Sequence, residues 1–319
     1  MKRLSLLIVC HWFSWMTTQA ALPAFPAGKF TIEKLPGVVE VRNSQGKIIV
    51  GYQFQQPTTS GLSVQSAGYF HPFATPGGIV LTDVAPSDHK HHRGIFLAWV
   101  EMHGAKDADF WGWGQHAPKE GRIIQNTRLE GQYAAGASAG FRAFNDWRAD
   151  AVTLLKEELT TVVRSITNAN VLDLTYTLKP EADLKLSRWA FGGFCVRLRN
   201  DGTFETSGPS GKVSLPDPNH LKPESDWPDA PWYDFTLTLP DGKKAGITVL
   251  QHPENPPTLW HNARTSRMIN PCITAPAEVK IGAGKPLVLR YRVVAHDGPV
   301  PVDFIQRLVQ EWNVRKPAS

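Results

Sequence analysis

The chain has 319 residues, 42% of them hydrophobic and 20% charged, with a formal net charge of +5. That mild positive excess is spread along the chain without Lys/Arg-rich runs, which argues against a nucleic-acid-binding protein. The 3 cysteines form no CxxC pair, which argues against a cysteine-built metal module.

Residues 1–21 read as a signal peptide. Lys2 and Arg3 make a positive start, "LSLLIVCHWFSWM" is an apolar run, and "TTQAA" supplies small residues at a cleavage site. The run is shorter than the roughly 20 apolar residues a membrane anchor needs. The expectation is an exported protein, periplasmic or extracellular, with no membrane span. Loss of Lys2 and Arg3 takes the charge from +5 to +3, since no acidic residue leaves with them. Cys195 and Cys272 then remain, either as one disulfide or as two buried thiols acting as small hydrophobes.

Residues 22–319 read as one β-sandwich domain, all-β, with no Gly/Ser linker and no internal repeat. "GKFTIEKLPGVVEVRNSQGKIIVGYQF" alternates as hairpin strands around the turn "NSQG". "GGIVLTDVA", "RGIFLAWVEM", "GRIIQNTRLEGQY", "AVTLLKEELTTVVRSITNANVLDLTYTLKP", "WAFGGFCVRLRNDG" and "SGKVSL" continue in that manner. "PWYDFTLTLPDGKKAGITVLQHP" predicts a hairpin with Asp241-Gly242 at its tip, and "AEVKIGAGKPLVLRYRVVAHDG" a further pair of strands. The clear helix is terminal: in "VDFIQRLVQEW", Phe304, Ile305, Leu308, Val309 and Trp312 form one apolar stripe that would pack on a sheet, with Asp303 as N-cap. So many strands imply two large antiparallel sheets face to face, or a barrel-like closure of them, with the site on rim loops or a concave face.

The residues able to carry chemistry fall in four places. "PSDHKHHRGIFLAW", residues 86–99, packs Asp88, His89, His91, His92 and Arg93 together. Alternation would set His91, Arg93, Leu97, Trp99 and Glu101 on one face and His92 on the other. Three readings are open. One histidine serves as general acid or base, with Asp88 or Glu101 orienting it and Arg93 as a fixed cation. Alternatively, His89 and His91 hold a divalent metal with a third ligand from His252 or His71. In the third, the imidazoles only brace a loop. "YFHPFATPGG" contributes His71, and "LQHPENPPTLWH" contributes His252 and Asn255 on a proline-stiffened loop, the plain alternative for each being a turn with an incidental polar residue. In "DFWGWG", Trp111 and Trp113 alternate with glycines, so both rings would fall on one side of an extended backbone, where flat aromatic faces suit sugar rings. Core packing is the plainer account of most tryptophans, while Trp227, Trp232 and Trp260, in Pro-rich loops, fit a binding role more readily. There is no phosphate-cradling Gly-rich loop, no G-x-S-x-G elbow and no dinucleotide fingerprint, so no nucleotide cofactor is expected.

"YFHPFATPGGIVLTDVAPSDHKHHRGIFLAW", followed downstream by "GITVLQHPENP" and "LVLRYRVVAHDG", resembles a bacterial family of unknown function labelled PmoA-like, over residues 30–300. The label borrows from a membrane-embedded methane oxygenase subunit, and a leader-bearing chain without a spanning helix does not suit that activity. The resemblance implies an exported protein of polysaccharide-degrading bacteria, hence sugar ligands. A looser likeness to galactose mutarotase-like supersandwiches implies a histidine acid and a carboxylate base on a concave sheet. Together these readings predict an exported carbohydrate-active enzyme, a hydrolase, lyase or epimerase. Asp88, His89, His92 and Arg93 would be catalytic, with His71, Trp99, Glu101, Trp111, Trp113, His252 and Asn255 binding substrate. The alternative is a non-catalytic carbohydrate-binding protein.

Overall fold

The computed structural model describes residues 28–314, so the predicted signal peptide at 1–21 lies outside the described residues. Among the described residues, two antiparallel sheets dominate. The first has seven strands in the order Thr31–Leu35, Val38–Arg42, Ile48–Gln53, Tyr69–Phe73, Ile95–Ala98, Gly193–Arg197, Met268–Ile269. The second has nine, in the order Gly211–Lys212, Thr203–Gly208, Trp232–Thr238, Lys244–Gln251, Leu287–Asp297, Ala169–Pro180, Val152–Ile166, Ser138–Ala149, Arg122–Ala135. Their inner faces pack together, as a β-sandwich requires. Phe194 of the first sheet stacks on Tyr291 of the second at 4.1 Å, and Tyr52 meets Phe141 at 5.3 Å.

Period-two alternation explains the second sheet. Along Val152–Ile166 the inward positions are Leu155, Glu157, Leu159, Thr161 and Val163. Glu157 is a carboxylate in this core, and its partners arrive by register and by packing. Asn145, directly opposite on the next strand, donates to Oε1 at 2.6 Å, Trp147 donates to Oε2 at 2.8 Å, and Asn145 also reaches the Tyr52 hydroxyl across the sandwich. Strands Lys244–Gln251 and Leu287–Asp297 are buried on both faces because the terminal helix Val302–Val314 covers the outer side, Ile305 and Leu308 packing on Val171, Leu250 and Val294. Asp303 falls inside the first turn of that helix rather than at its cap.

The "NSQG" and Asp241-Gly242 turns form as expected. Asn43 Oδ1 accepts the amides of Gln45 and Lys47, and Gly242 takes a φ of 82° that suits its missing side chain. Two expectations fail. "GGIVLTDVA" makes only isolated bridges, at Val80, Thr82 and Val84. Val279–Ile281 pairs with Leu184–Leu186 rather than with the strand that follows it. Of the two states open for the cysteines, the structure shows buried thiols: Cys195 and Cys272 are both free, and burial pushes the Cys272 thiol up to about 12. Among the described residues, no helix is long and apolar enough to cross a membrane.

Candidate functional site

At one margin of the seven-stranded sheet, loops enclose a cavity of about 330 Å³. Its wall includes His89, His91, His92, Trp111, Trp113, Phe191, His220 and His261. The volume sits at the lower end of the roughly 300–1,000 Å³ range of small-molecule sites.

The histidine cluster is a turn, not the extended segment that alternation predicts. The His89 amide donates to Pro86 O and the His92 amide to His89 O, which curls the chain so that the His89 and His92 rings stack at 4.6 Å and 12°. The chain then enters strand Ile95–Ala98 through Gly94. Here φ is +57° and a Cβ would lie 2.1 Å from Phe70 O, so only glycine fits the close approach of the neighbouring strand. His91 stands edge-on to His92 at 4.7 Å, and Trp111 edge-on to His92 at 5.5 Å.

Behind this turn lies Arg197, which sequence reasoning missed. It ends strand Gly193–Arg197 with its side chain fully buried. Its Nη2 donates to both Asp88 oxygens, at 2.7 and 2.9 Å, and its Nη1 lies 3.3 Å from His92 Nδ1. A guanidinium only donates, so His92 Nδ1 accepts and the ring is neutral with its proton on Nε2. Burial, then the neighbouring His91 and His89, push the His92 pKa well down, and burial, then the charges of His89 and Arg93, take His91 down to about 3. Both rings are thus held neutral, and His92, expected as an acid or base, has its Nδ1 taken by Arg197, which leaves Nε2 as its other ring nitrogen on the cavity side. His89 differs. It is half-exposed, and its Nδ1 meets Asp88 Oδ2 at 2.9 Å, so the carboxylate fixes the Nδ1–H tautomer and leaves Nε2 free. Burial acts to raise the Asp88 carboxyl, but hydrogen bonds from His89 and Arg197 together outweigh it and hold it below the ordinary range.

A second imidazole–carboxylate pair faces the same cavity from sequence some 140–170 positions away. Trp227 and Trp260 pair as an antiparallel bridge, each amide bonded to the other's carbonyl at 2.9 Å. That register sets Asp226 opposite His261, and Asp226 Oδ1 lies 2.7 Å from His261 Nδ1 with both side chains buried. Burial raises the Asp226 carboxyl despite the His261 hydrogen bond, and its Oδ2 has no partner. The pair has the geometry of a positioned general base, a carboxylate orienting an imidazole whose other nitrogen is free.

The remaining predicted residues divide. Trp111 and Trp113 do line the cavity, but "DFWGWG" folds back on itself: Asp109 accepts the amides of Gly112 and Gly114, and Gly112 has a φ of +106°. Arg93 is not a clamp on a ligand. It is buried and donates to three carbonyls, of His91, Phe110 and Trp111 at 3.1, 2.9 and 3.3 Å. Trp99 is core, packed on Trp147 at 5.9 Å, and Trp227, Trp232 and Trp260 are core as well. His71 bonds Thr82 Oγ1 at 2.9 Å between two segments of the sheet and does not line the cavity, and burial lowers its pKa. Glu101 lies outside the cavity lining, bonded to His103 and Trp189.

His252 and Asn255 do not join the cluster. They line a separate cavity of about 590 Å³ against Val309 and Trp312 of the terminal helix. Asn255 is a strap there, exchanging hydrogen bonds with the backbone of Arg290 at 2.8 and 2.9 Å, and His252 Nδ1 accepts the Glu254 amide at 3.1 Å. The larger cavity has no imidazole–carboxylate pair of comparable geometry, so chemistry favours the smaller one. With His252 elsewhere, the expected ligand set of His89, His91 and His252 does not assemble, and among the described residues no three His, Cys, Asp or Glu side chains are placed to hold a metal ion.

The fold is similar to that of several solved structures, in whole or in part. The GH36 α-galactosidase AgaA from Geobacillus stearothermophilus aligns at 10% identity and a TM-score of 0.40, over 84% of this chain and 41% of that one. A galactose mutarotase related enzyme from Lactobacillus acidophilus aligns at 8% and 0.38, over 84% and 97%. The heparan sulfate lyase HepC from Pedobacter heparinus aligns at 8% and 0.35, over 85% and 36%. The chain spans about two fifths of the length of the α-galactosidases it matches. No curated protein matches the sequence. A family model described as a family of unknown function (DUF6807) matches residues 40–310, most of the chain, and the chain belongs to that family.

Proposed function

We propose that this chain is an exported enzyme that performs acid–base chemistry on a sugar or sugar derivative in the His89/His261 cavity. The observation that carries the reading is the sharing of one cavity by two imidazoles, each fixed by its own carboxylate: His89 by Asp88 and His261 by Asp226. Two oriented imidazoles supply a base and an acid, which hydrolysis, elimination and epimerisation all require. His261 Nε2 takes the proton, and Asp226 stabilises the imidazolium that forms. His89, which must enter the turnover protonated on both nitrogens against Asp88, gives its Nε2 proton to the departing or rearranging oxygen, and exchange with water at the half-exposed ring resets the pair. The neutral His92, its Nδ1 occupied by Arg197, presents Nε2–H as a hydrogen-bond donor to a hydroxyl. Trp111 and Trp113 give the apolar faces on which axial C–H groups of a ring pack. The sugar context implied by the PmoA-like resemblance agrees with this.

The test is proton NMR of a panel of neutral and uronate-containing mono- and oligosaccharides incubated with the full chain. The signals followed are anomeric exchange, new unsaturated protons and new reducing ends. Wild type is expected to produce one of these, and His261→Ala and His89→Ala each to slow it by about 10²–10⁴-fold, with melting temperature kept in His89→Ala, whose ring is half-exposed, and lowered in His261→Ala, which strands the buried Asp226 carboxylate. Saccharide binding without turnover in wild type would identify a non-catalytic binding protein. Turnover that survives both substitutions would refute the assignment of the two imidazoles.

A further inference from the structure

The aromatic wall of the cavity continues beyond it. Trp113, at the mouth, meets Trp189 edge-on at 5.9 Å and 89°, and the exposed His116 lies over Trp189 at 4.2 Å. Trp113 also contacts Phe191 at 5.3 Å and His220 at 6.0 Å, both on the cavity lining, so the surface from cavity floor to Trp189 is unbroken. Trp113 and Trp189 pack against the core on one side, but core packing alone does not account for what they leave at the surface. Trp113 and Trp189 are only partly buried, unlike Trp99 and Trp147, and His116 and His220 stand in solvent.

Trp189 is held in a set orientation. Its Nε1–H donates to Glu101 Oε2 at 2.6 Å, while Glu101 Oε1 lies 2.8 Å from His103 Nε2. His103 Nδ1 in turn lies 2.8 Å from Asp107. With a carboxylate oxygen at each ring nitrogen both positions must donate, so an imidazolium bridges the two carboxylates and locks the acceptor that the indole needs, and hydrogen bonding to Asp107 raises the His103 pKa accordingly. A ring pinned by its polar edge keeps one orientation, and the partly exposed indole with the imidazole that lies over it together offer a sugar ring an aromatic surface for its C–H groups and a donor for its hydroxyl rim. The cavity alone, about 330 Å³, is small for more than a compact ligand.

We propose that the cavity and the Trp113–Trp189–His116 shelf are adjoining subsites of one groove, so that the substrate is an oligosaccharide of at least two rings. Glu101 is a positioning residue that acts through Trp189. The proposal rests on the saccharide reading of the cavity and names the size class of ligand that reading leaves open. It gives the sequence-flagged Glu101 a role without contact to the reacting atoms.

Titration calorimetry on the full chain tests it, with glucose, galactose and glucuronate compared with their di- and tetrasaccharides. The tetrasaccharide of the preferred sugar is expected to bind at least tenfold more tightly than the monosaccharide. Trp189→Ala should remove about that tenfold, which corresponds to about 1.4 kcal/mol, while leaving monosaccharide affinity unchanged. Trp189→Phe should restore most of it, and Glu101→Ala should show the same length-dependent loss in smaller measure. In turnover, these variants raise KM for the oligosaccharide and leave kcat in place. His116→Ala, at an exposed position, supplies a variant whose folding is not in question and should lose part of the gain. Oligosaccharides that bind no more tightly than monosaccharides, or a gain that survives both Trp189→Ala and His116→Ala, would overturn the proposal and leave the cavity assignment standing. Absence of binding at every length would refute the cavity reading and the shelf with it.

Discussion

Replacing Asp226 with Asn isolates the contribution of the carboxylate behind His261. Asp226 and His261 are both buried, with a 2.7 Å contact between them, so the side chains stay in place when only the charge is removed. A hydrogen bond to a charged group is worth about 1.5–3 kcal/mol against about 0.5–1.5 for a neutral one, so the imidazolium formed during turnover loses about 1–2 kcal/mol of support. That alone slows the reaction by about 5–30-fold. If the amide turns its Nδ2–H₂ to the ring, Nδ1 must accept, the proton moves to Nε2 and the base is gone, which raises the loss towards the full 10⁴ or so of general base catalysis. Stability should move little or improve, because the wild-type carboxylate is desolvated and its Oδ2 has no partner. Nitrogen-15 NMR of the histidine rings reads the tautomer without any substrate, and urea unfolding reads stability. Wild-type turnover in Asp226→Asn, with Nδ1 still protonated, would refute the dyad argument. So would a stability loss of several kcal/mol.

Other outcomes follow from the same structure. Burial pushes the Glu157 carboxyl up to about 7 despite hydrogen bonds from Asn145 and Trp147. A folded-state value above the unfolded one means that this group's stabilisation is complete below about pH 4.3 and is lost as pH rises through about 7, a swing of about 4 kcal/mol. Urea midpoints of Glu157→Gln should lack that slope whatever their absolute offset, and an unchanged slope would refute the assignment. Arg93→Ala strands two buried carbonyls and a partly buried one and should cost about 3 kcal/mol of stability, measured by the same unfolding curves. A small loss there would point back to a ligand-binding role. His252→Ala lies in the separate cavity and should leave turnover within a few-fold of wild type, whereas a loss matching that of His261→Ala would reconnect the two cavities.

Much of the architecture was legible in the sequence because its signals are local. Period-two alternation in "TLLKEELTTVVRSI" marks a strand whose inner face is known before its partners are, and the apolar stripe of 304–312 marks the covering helix. "GGIVLTDVA" carries the same alternation and forms only bridges, since its backbone is shared out among Phe73, Arg93 and Arg197 rather than along one neighbour. Within the site, His89, Asp88 and Trp113 could be found from composition alone. Arg197 and the Asp226–His261 pair could not, because their significance lies in pairing across more than 30 residues of chain. The Trp227–Trp260 bridge creates the second dyad, and nothing in "ESDWP" or "LWHN" taken singly announces it. The one available signal was that both stretches set a tryptophan beside an ionisable residue. Arg93 misled for the opposite reason. A cation in a histidine cluster suggests a ligand clamp, but its neighbours in space are carbonyls that needed donors.

The account depends on His89 and His261 acting in a single site on a single reaction, and a double-mutant cycle on kcat/KM tests that most directly. If one ring gives and the other takes a proton in the same turnover, removing the second after the first should cost far less than removing it alone, so His89→Ala/His261→Ala should be only slightly worse than the weaker single variant. Losses that multiply as though the two residues were independent would contradict it.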